Sequence, residues 1–223
     1  MNVDIKVVKL LSSRLCHDLA GLAGAVHNGM ELVDEMGVDE GGDALKMVFT
    51  SVEQLSARLG FFRMAFGLGG LSGRKPALAE SRDIVEAYLQ GGRVSLIWPE
   101  EEGADLAQTI SAPVIRLLLN MVLVAIDALP RGGALDVTLA GLDTEEGKPA
   151  IGIAIKATGE GACLRDELRA ALSFVDDGDN VSVLNAHNVH GFFCQQLARE
   201  LSTEVEVLEN DDEVQFAVLS ITN

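Results

Sequence analysis

The chain has 223 residues, of which 48% are hydrophobic and 4% aromatic, enough for one large domain or two small ones with a mainly aliphatic core. Its formal net charge of −17 repels DNA phosphates and anionic lipid, which argues against nucleic acid or a membrane surface as the main partner. The spacing of the three cysteines fits neither a disulfide framework nor a C-x-x-C metal site, and we find neither a signal peptide nor a transmembrane run. We therefore expect a cytoplasmic protein.

The N-terminal part carries two heptad-like patterns of apolar or small residues. Steps of three and four run from Ile5 to Val33 and again from Leu45 to Phe66, and this spacing predicts two long amphipathic helices. The segment between them, MGVDEGGD at 36–43, holds three glycines and predicts a turn. The two helices would therefore form an antiparallel hairpin.

Two helices cannot cover all of their own apolar side chains. A second copy of the hairpin would cover the remainder in a four-helix bundle, which makes the chain a homodimer. The alternative is that the hairpin packs on the C-terminal domain of its own chain. The side chains that need such cover lie beside the two seams: Leu10, Leu11, Met30, Leu32, Phe49, Phe61 and Met64.

The sequence GLGGLSGRKP at 67–76 is a predicted linker. It divides the chain into a helical-hairpin domain at 1–70 and a second domain at 77–223. In the second domain the patterns predict helices at 77–90, 112–130, 164–174 and 189–202, and strands at 93–99, 134–142, 149–157, 202–210 and 213–221. Strands paired as hairpins with helices set apart from them predict an α+β sandwich.

A histidine in the first helix has the surroundings of a functional group. Heptad register turns His17 away from the seam, on a stripe with Gly21 and Gly24 beyond it and Asn28 further along. Each glycine inside a helix costs about 1 kcal/mol relative to alanine, so we interpret the pair as a shallow platform that lets another backbone approach the imidazole. The alternative is that these glycines mark close helix packing and that His17 is an ordinary surface residue.

The chemistry of this stripe suits phosphoryl transfer. An exposed imidazole is partly uncharged near neutral pH and can take a phosphoryl group as a phosphoramidate. Asp18 could orient the ring or hold a proton, and Arg14, one turn earlier, could balance phosphate charge. His17 and Asp18 lack further metal ligands at useful spacing, so any Mg²⁺ would come with the partner. We interpret His187 and His190 as structural and His27 as a rim residue.

The segment RLCHDLAGLAGAVHNGMELV at 14–33 resembles the first helix of a histidine-kinase dimerisation and phosphotransfer domain. More closely, the chain resembles the ChpT-type histidine phosphotransferases of alphaproteobacteria, and the resemblance covers essentially its whole length. In the second domain, LLLNMVLVAIDALPRGGAL at 117–135 is similar to the kinase N-box, with Asp127 at a position that is basic in kinases.

The resemblance implies a degenerate histidine-kinase-type ATPase sandwich that no longer binds ATP. Val124 replaces the asparagine that holds Mg²⁺, and Ala157 replaces the aspartate that contacts adenine; neither side chain can make those bonds. The positions that correspond to the nucleotide motifs are Asn120, Val124, Ala157, Gly159, Gly161 and Gly191.

The resemblance further implies a dimeric histidine phosphotransferase without a cofactor of its own. Its acceptor would be His17, assisted by Asp18 and Arg14, and it would relay a phosphoryl group from the receiver domain of a hybrid histidine kinase to receiver domains of response regulators. Mg²⁺ is expected on those receivers. An ATP-dependent kinase and a receiver-binding scaffold remain the alternatives. The expected docking surface comprises Gly21, Gly24 and Asn28, completed by Phe61, Met64 and Ala65.

Overall fold

The computed structural model describes residues 5–37, 41–67, 78–99, 110–143, 149–173 and 183–221. The predicted linker at 67–76 lies outside these ranges except for Gly67, and so does the centre of the predicted turn at 38–40. No helix in the described ranges combines the length and apolar character needed to cross a membrane.

The N-terminal part is the predicted pair of helices, α1 (Ile5–Met36) and α2 (Gly42–Ala65). They run antiparallel, because Gly29 packs against Val48 while Asp18 contacts Arg58 further along. A Cβ at Gly29 would lie 2.6 Å from Val48 Cγ2, so this glycine lets the two helices approach closely. Close helix packing therefore applies to Gly29, whereas an added Cβ at Gly21 or Gly24 would meet no such neighbour among the described residues.

The second part is an α+β sandwich, as predicted. Its elements are α3 (Leu78–Leu89), β1 (Val94–Ile97), α4 (Ala112–Asp127), β2 (Gly133–Asp143), β3 (Pro149–Thr158), α5 (Asp166–Leu172), α6 (Val189–Glu200), β4 (Glu206–Asn210) and β5 (Glu213–Ile221). The strands form one five-stranded sheet in the order β1-β2-β3-β5-β4. β1 pairs with β2 in parallel, and the other neighbours are antiparallel.

One face of the sheet carries the core. Along β3 the side chains of Ile151, Ile153, Ile155 and Ala157 are buried, while those between them are more accessible, as the period of two in a half-buried strand requires. α4 packs against this face and is apolar around nearly its whole circumference, which is typical of a helix buried on all sides. This helix therefore lies at the centre of the molecule.

The end of the hairpin packs on the second part of the same chain. Phe61 and Ala65 are fully buried, and the rings of Phe61 and Tyr88 have centroids 4.4 Å apart. Met64 is half-buried, and its Sδ accepts a hydrogen bond from Ser81 Oγ at 3.7 Å. The prediction that Phe61 and Ala65 belong to a docking surface is therefore wrong, because α3 and α4 cover this end of α2.

The two ends of the hairpin differ in what covers their apolar side chains within the protomer. Leu10 of α1 is half-buried and packs on a small cluster of Ala171, Leu184 and Phe192, so this end uses the chain's own second part. Towards the turn, several large apolar side chains stay exposed in the protomer: Met30, Leu32, Met36, Met47, Phe49 and Val52. Leu59 is exposed as well, further along α2 and next to Arg58, which contacts Asp18.

Candidate functional site

His17 projects from α1 with 84% of its side chain exposed. Its Nδ1 lies 3.3 Å from Asp18 Oδ1. Because a carboxylate accepts but does not donate hydrogen bonds, this contact favours the tautomer with its proton on Nδ1. In that tautomer the Nε2 lone pair is the one available for reaction. The geometry therefore presents a nucleophilic nitrogen on an open helix face.

Asp18 is itself held in place by two arginines. Arg14 Nε donates to Asp18 Oδ2 at 3.0 Å, across one turn of the same helix. Arg58 on α2 donates from Nη1 to the Asp18 main-chain oxygen at 3.1 Å, and its guanidinium lies over the Tyr88 ring at 5.6 Å from the centroid. Burial raises the pKa of Tyr88 to about 12, although Arg58 opposes that rise. Arg14 thus fixes the carboxylate beside His17, and Arg58 of α2 holds the main chain at the same residue.

The stripe beyond His17 is open. A Cβ built at Gly21 or Gly24 would meet no atom of the described residues within 4 Å, apart from the backbone of its own helix. Asn28 is exposed further along the stripe. These three predicted docking residues therefore lie at an accessible face. Leu10 and Arg14, which precede His17 on α1, instead contact the second part of the chain.

Asp127, the last residue of α4, is a member of this site that the sequence did not reveal as one. Arg14 Nη2 donates to its two carboxylate oxygens at 3.3 and 3.4 Å. His190 Nε2 lies 2.9 Å and Arg165 Nη2 3.6 Å from Asp127 Oδ2. His190 is buried, in keeping with its predicted structural role. The sequence carries two signals for it: an acidic residue at a helix C-terminus is electrostatically disfavoured, and the corresponding position is basic in the kinases that the chain resembles.

The charges around Asp127 and Arg14 support each other. Burial raises the pKa of Asp127, but His190 and Arg14 outweigh it and hold this pKa below its ordinary value. Burial lowers the pKa of Arg14, but Asp127 and Asp18 outweigh it and raise this pKa. Both residues are therefore charged at neutral pH, and Arg14 is shared between two carboxylates.

The positions that correspond to the kinase N-box and adenine site are closed. Val124 and Ala157 are fully buried in the hydrophobic core. Asn120 is also buried, and its Nδ2 donates to the main-chain oxygens of Ala65 and Arg116, both at 2.8 Å. Its amide therefore joins the end of α2 to α4. In the described ranges no group of three or more His, Cys, Asp and Glu side chains is arranged to hold a metal ion.

The glycines at the positions of the nucleotide motifs serve turns and close contacts within the chain. A Cβ at Gly159 would lie 2.3 Å from the Gly132 oxygen, and one at Gly191 would lie 2.5 Å from Leu168 Cδ1. Gly161 has a φ of +72°, which disfavours other residues, and its amide donates to Asp212 Oδ1 at 2.7 Å. Each glycine is thus required by a turn or a close contact of the fold itself.

Comparison with known proteins identifies the family of this chain. The profile of the family described as histidine phosphotransferase C-terminal domain matches residues 78–213. The protein phosphotransferase ChpT of Brucella abortus (strain 2308) is 31% identical over 211 residues, covering 93% of this chain and 92% of that protein. A solved structure of a bacterial phosphotransferase is 28% identical, with a TM-score of 0.77 and 98% of both chains covered. The chain therefore belongs to the histidine phosphotransferase family.

Proposed function

We propose that this phosphotransferase relays a phosphoryl group through His17 between receiver-domain aspartates, without using ATP. The observation that carries the proposal is the exposed imidazole, held at Nδ1 by Asp18 and followed by a face without side chains at Gly21 and Gly24. A receiver carries its aspartyl phosphate in a pocket formed by loops. Those loops can reach the nucleophile only across a helix surface that has no protruding side chains. Gly21, Gly24 and Asn28 provide that approach.

The transfer step follows from the tautomer. The Nε2 lone pair of His17 attacks the phosphorus of the receiver's aspartyl phosphate. The P–N bond forms while the bond from phosphorus to the aspartyl oxygen breaks, and the receiver's carboxylate leaves with the electron pair. Nδ1 keeps its proton, and Asp18 accepts a hydrogen bond from it, which offsets the positive charge that the ring gains. Transfer to the next receiver is the reverse of this step, and the Mg²⁺ that both steps use belongs to the receiver.

Burial of Val124 and Ala157 in the core supports the absence of ATP chemistry. Neither side chain can bind Mg²⁺ or the adenine amino group. An ATP-dependent kinase, the competing proposal, would require this region to open. Other residues would also have to bind Mg²⁺ and adenine in place of Val124 and Ala157. We further propose that residues 1–70 serve dimerisation and transfer, and that 77–223 form the degenerate ATPase-like domain.

Partners follow from the same proposal. The donor is the receiver domain of a hybrid histidine kinase, and the acceptors are receiver domains of response regulators, all in the cytoplasm. A homodimer would cover the exposed apolar side chains near the turn of the hairpin, among them Phe49, which is 62% exposed in the protomer. The bundle so formed would present one copy of His17 on each side.

The experiment that tests the proposal is transfer from a purified, radiolabelled phospho-receiver to the full chain. We expect label to reach the wild type as an acid-labile, base-stable adduct, and we expect none on His17→Gln. The matched control is His27→Gln, because His27 is a second exposed histidine of the same helix, with 74% of its side chain accessible. This control should accept label at the wild-type rate.

Other outcomes would identify the competing functions. Label that reaches the wild type from ATP alone would mean a kinase. Stable binding of a receiver without any transfer would mean a scaffold, and equal labelling of His17→Gln would place the chemistry elsewhere.

A further inference from the structure

We propose that Asp127 is a positioning residue for phosphoryl transfer, acting on His17 through Arg14 and Asp18. The inference rests on the proposed role of His17 as phosphoacceptor. It adds a functional connection between the second part of the chain and the acceptor helix. The second part would then do more than grip a partner, because it would set the state of the reacting imidazole.

The placement of Asp127 needs a reason beyond its own helix. It is the last residue of α4, where the partial negative charge of the helix end disfavours a carboxylate. The last turn of α4 contains no basic residue. Three cationic or protonatable side chains from other elements surround it instead, namely Arg14 of α1, Arg165 before α5 and His190 of α6. The tertiary fold therefore assembles this cluster around the carboxylate.

The contacts continue from Asp127 to the reacting ring. Arg14 reaches Asp127 with Nη2 and Asp18 with Nε. Asp18 in turn lies 3.3 Å from His17 Nδ1. Each step is a charged or charge-assisted contact with fixed direction, and such contacts constrain orientation more strongly than neutral ones. The position of the imidazole therefore depends on a carboxylate more than a hundred residues away in sequence.

Sharing Arg14 has an electrostatic consequence as well. An arginine paired with Asp18 alone would neutralise that carboxylate and weaken the hydrogen bond that it accepts from His17 Nδ1. With Asp127 present, the guanidinium charge is divided between two carboxylates, and Asp18 keeps more of its negative charge. That charge is needed when the ring becomes positive on accepting the phosphoryl group at Nε2.

A merely structural role for Asp127 makes a different prediction. If the cluster only joined α1 to α4 and α6, loss of Asp127 would lower stability without acting specifically through Arg14. The test is therefore a double-mutant cycle in the full chain with Asp127→Asn, Arg14→Gln and the combined variant. The matched control is Asp136→Asn, because Asp136 pairs with Lys156 across β2 and β3 and takes no part in the cluster.

Two measurements are made on each variant. The first is the maximal rate of transfer from a radiolabelled phospho-receiver, together with the receiver concentration that gives half of it. The second is the tautomer of His17, taken from the nitrogen chemical shifts of the labelled imidazole with no receiver present. Temperature is kept well below the melting transition of every variant.

We expect Asp127→Asn to lower the maximal rate about fivefold to tenfold, within the range of coupling measured between contacting charged residues, with the half-saturating concentration unchanged. In the Arg14→Gln background the same change should cost less than about twofold. The tautomer with its proton on Nδ1 should be less populated in Asp127→Asn and unchanged in Asp136→Asn.

Independent, multiplying effects of the two substitutions would overturn the proposal, and so would an unchanged rate and tautomer in Asp127→Asn. Failure of the proposed function is a separate result, because it shows as absence of transfer to the wild type itself. Failure of the present inference shows only in the variants of a wild type that transfers.

Discussion

Gly21 and Gly24 of α1 differ from Gly159 and Gly191 of the second part of the chain in what surrounds them. Around Gly21 and Gly24, leaving aside their own helix backbone, the described residues place no atom within 4 Å of an added Cβ. At Gly159 and Gly191 the added Cβ would collide with the Gly132 oxygen and with Leu168. The absence of side chains at Gly21 and Gly24 leaves a surface open, whereas at Gly159 and Gly191 it allows close packing within the chain.

This difference separates two explanations for a glycine in a helix. A glycine in a helix costs about 1 kcal/mol relative to alanine, and at Gly191 the fit of α6 against α5 accounts for it. At Gly21 and Gly24 the described residues of the protomer provide no such compensation, which supports the proposal that a partner approaches this face. The positions that correspond to the nucleotide motifs resemble Gly191 in this respect, because Val124 and Ala157 are also enclosed by the core of the chain.

The largest effect on stability is expected from a polar substitution at Val124, in the closed region that corresponds to the nucleotide site. Val124→Asn restores the residue type that the resemblance assigns to Mg²⁺ binding, but it places an amide at a fully buried site. Such a group without partners costs about 1–3 kcal/mol, in addition to the lost packing. We expect denaturant unfolding to show a loss of about 2–4 kcal/mol, and calorimetry to show no binding of Mg-ATP. Val124→Ala, the apolar control, should lose less, and tight ATP binding by Val124→Asn would contradict the description of a closed site.

A matched pair of glycine substitutions sharpens the comparison directly. Gly191→Ala forces a Cβ to within 2.5 Å of Leu168 Cδ1. Leu168 is buried, so moving its Cδ1 aside disturbs core packing, and we expect destabilisation of about 1–3 kcal/mol. Gly24→Ala meets no such obstacle and should stabilise by up to about 1 kcal/mol. Thermal unfolding of both variants measures the change in stability relative to the wild type. Changes of the same sign would mean that the surroundings of the glycines do not matter.

The smallest effect on the fold, with a selective effect on function, is expected at Gly21. Gly21→Leu should leave the melting temperature unchanged or raised, because leucine is a better helix former. It should slow transfer from a phospho-receiver about tenfold or more, because the leucine side chain obstructs docking. Each ~1.4 kcal/mol added to the activation free energy lowers the rate tenfold. The measurement is the transfer rate at limiting receiver concentration.

The control for that variant is Gly42→Leu. Gly42 is exposed, and among the described residues an added Cβ would meet nothing within 4 Å. It lies at the turn end of the hairpin, roughly 28 Å along the helix axis from His17 at 1.5 Å per residue. A loss of transfer in Gly42→Leu equal to that in Gly21→Leu would show that bulk anywhere on the hairpin is harmful.

Several features were determined by the sequence alone because they depend on periodicity. Steps of three and four predicted α1 and α2, and alternating apolar residues predicted the strands of the sheet. Both patterns are local, since a helix or strand places its side chains by the geometry of its own backbone. The exposure of His17 away from the seam follows from the same geometry. Motif order and spacing identified the family, which the comparisons confirm.

The tertiary structure decided which neighbour each face meets. Periodicity showed that Phe61 needs cover, but it could not show that α3 and α4 of the same chain bury Phe61 and Ala65. It could not bring Arg14 to Asp127 either, because 113 positions separate the two and their attraction exists only once α1 and α4 are packed. Local backbone geometry sets the direction of a side chain, whereas burial and charge pairing depend on long-range packing.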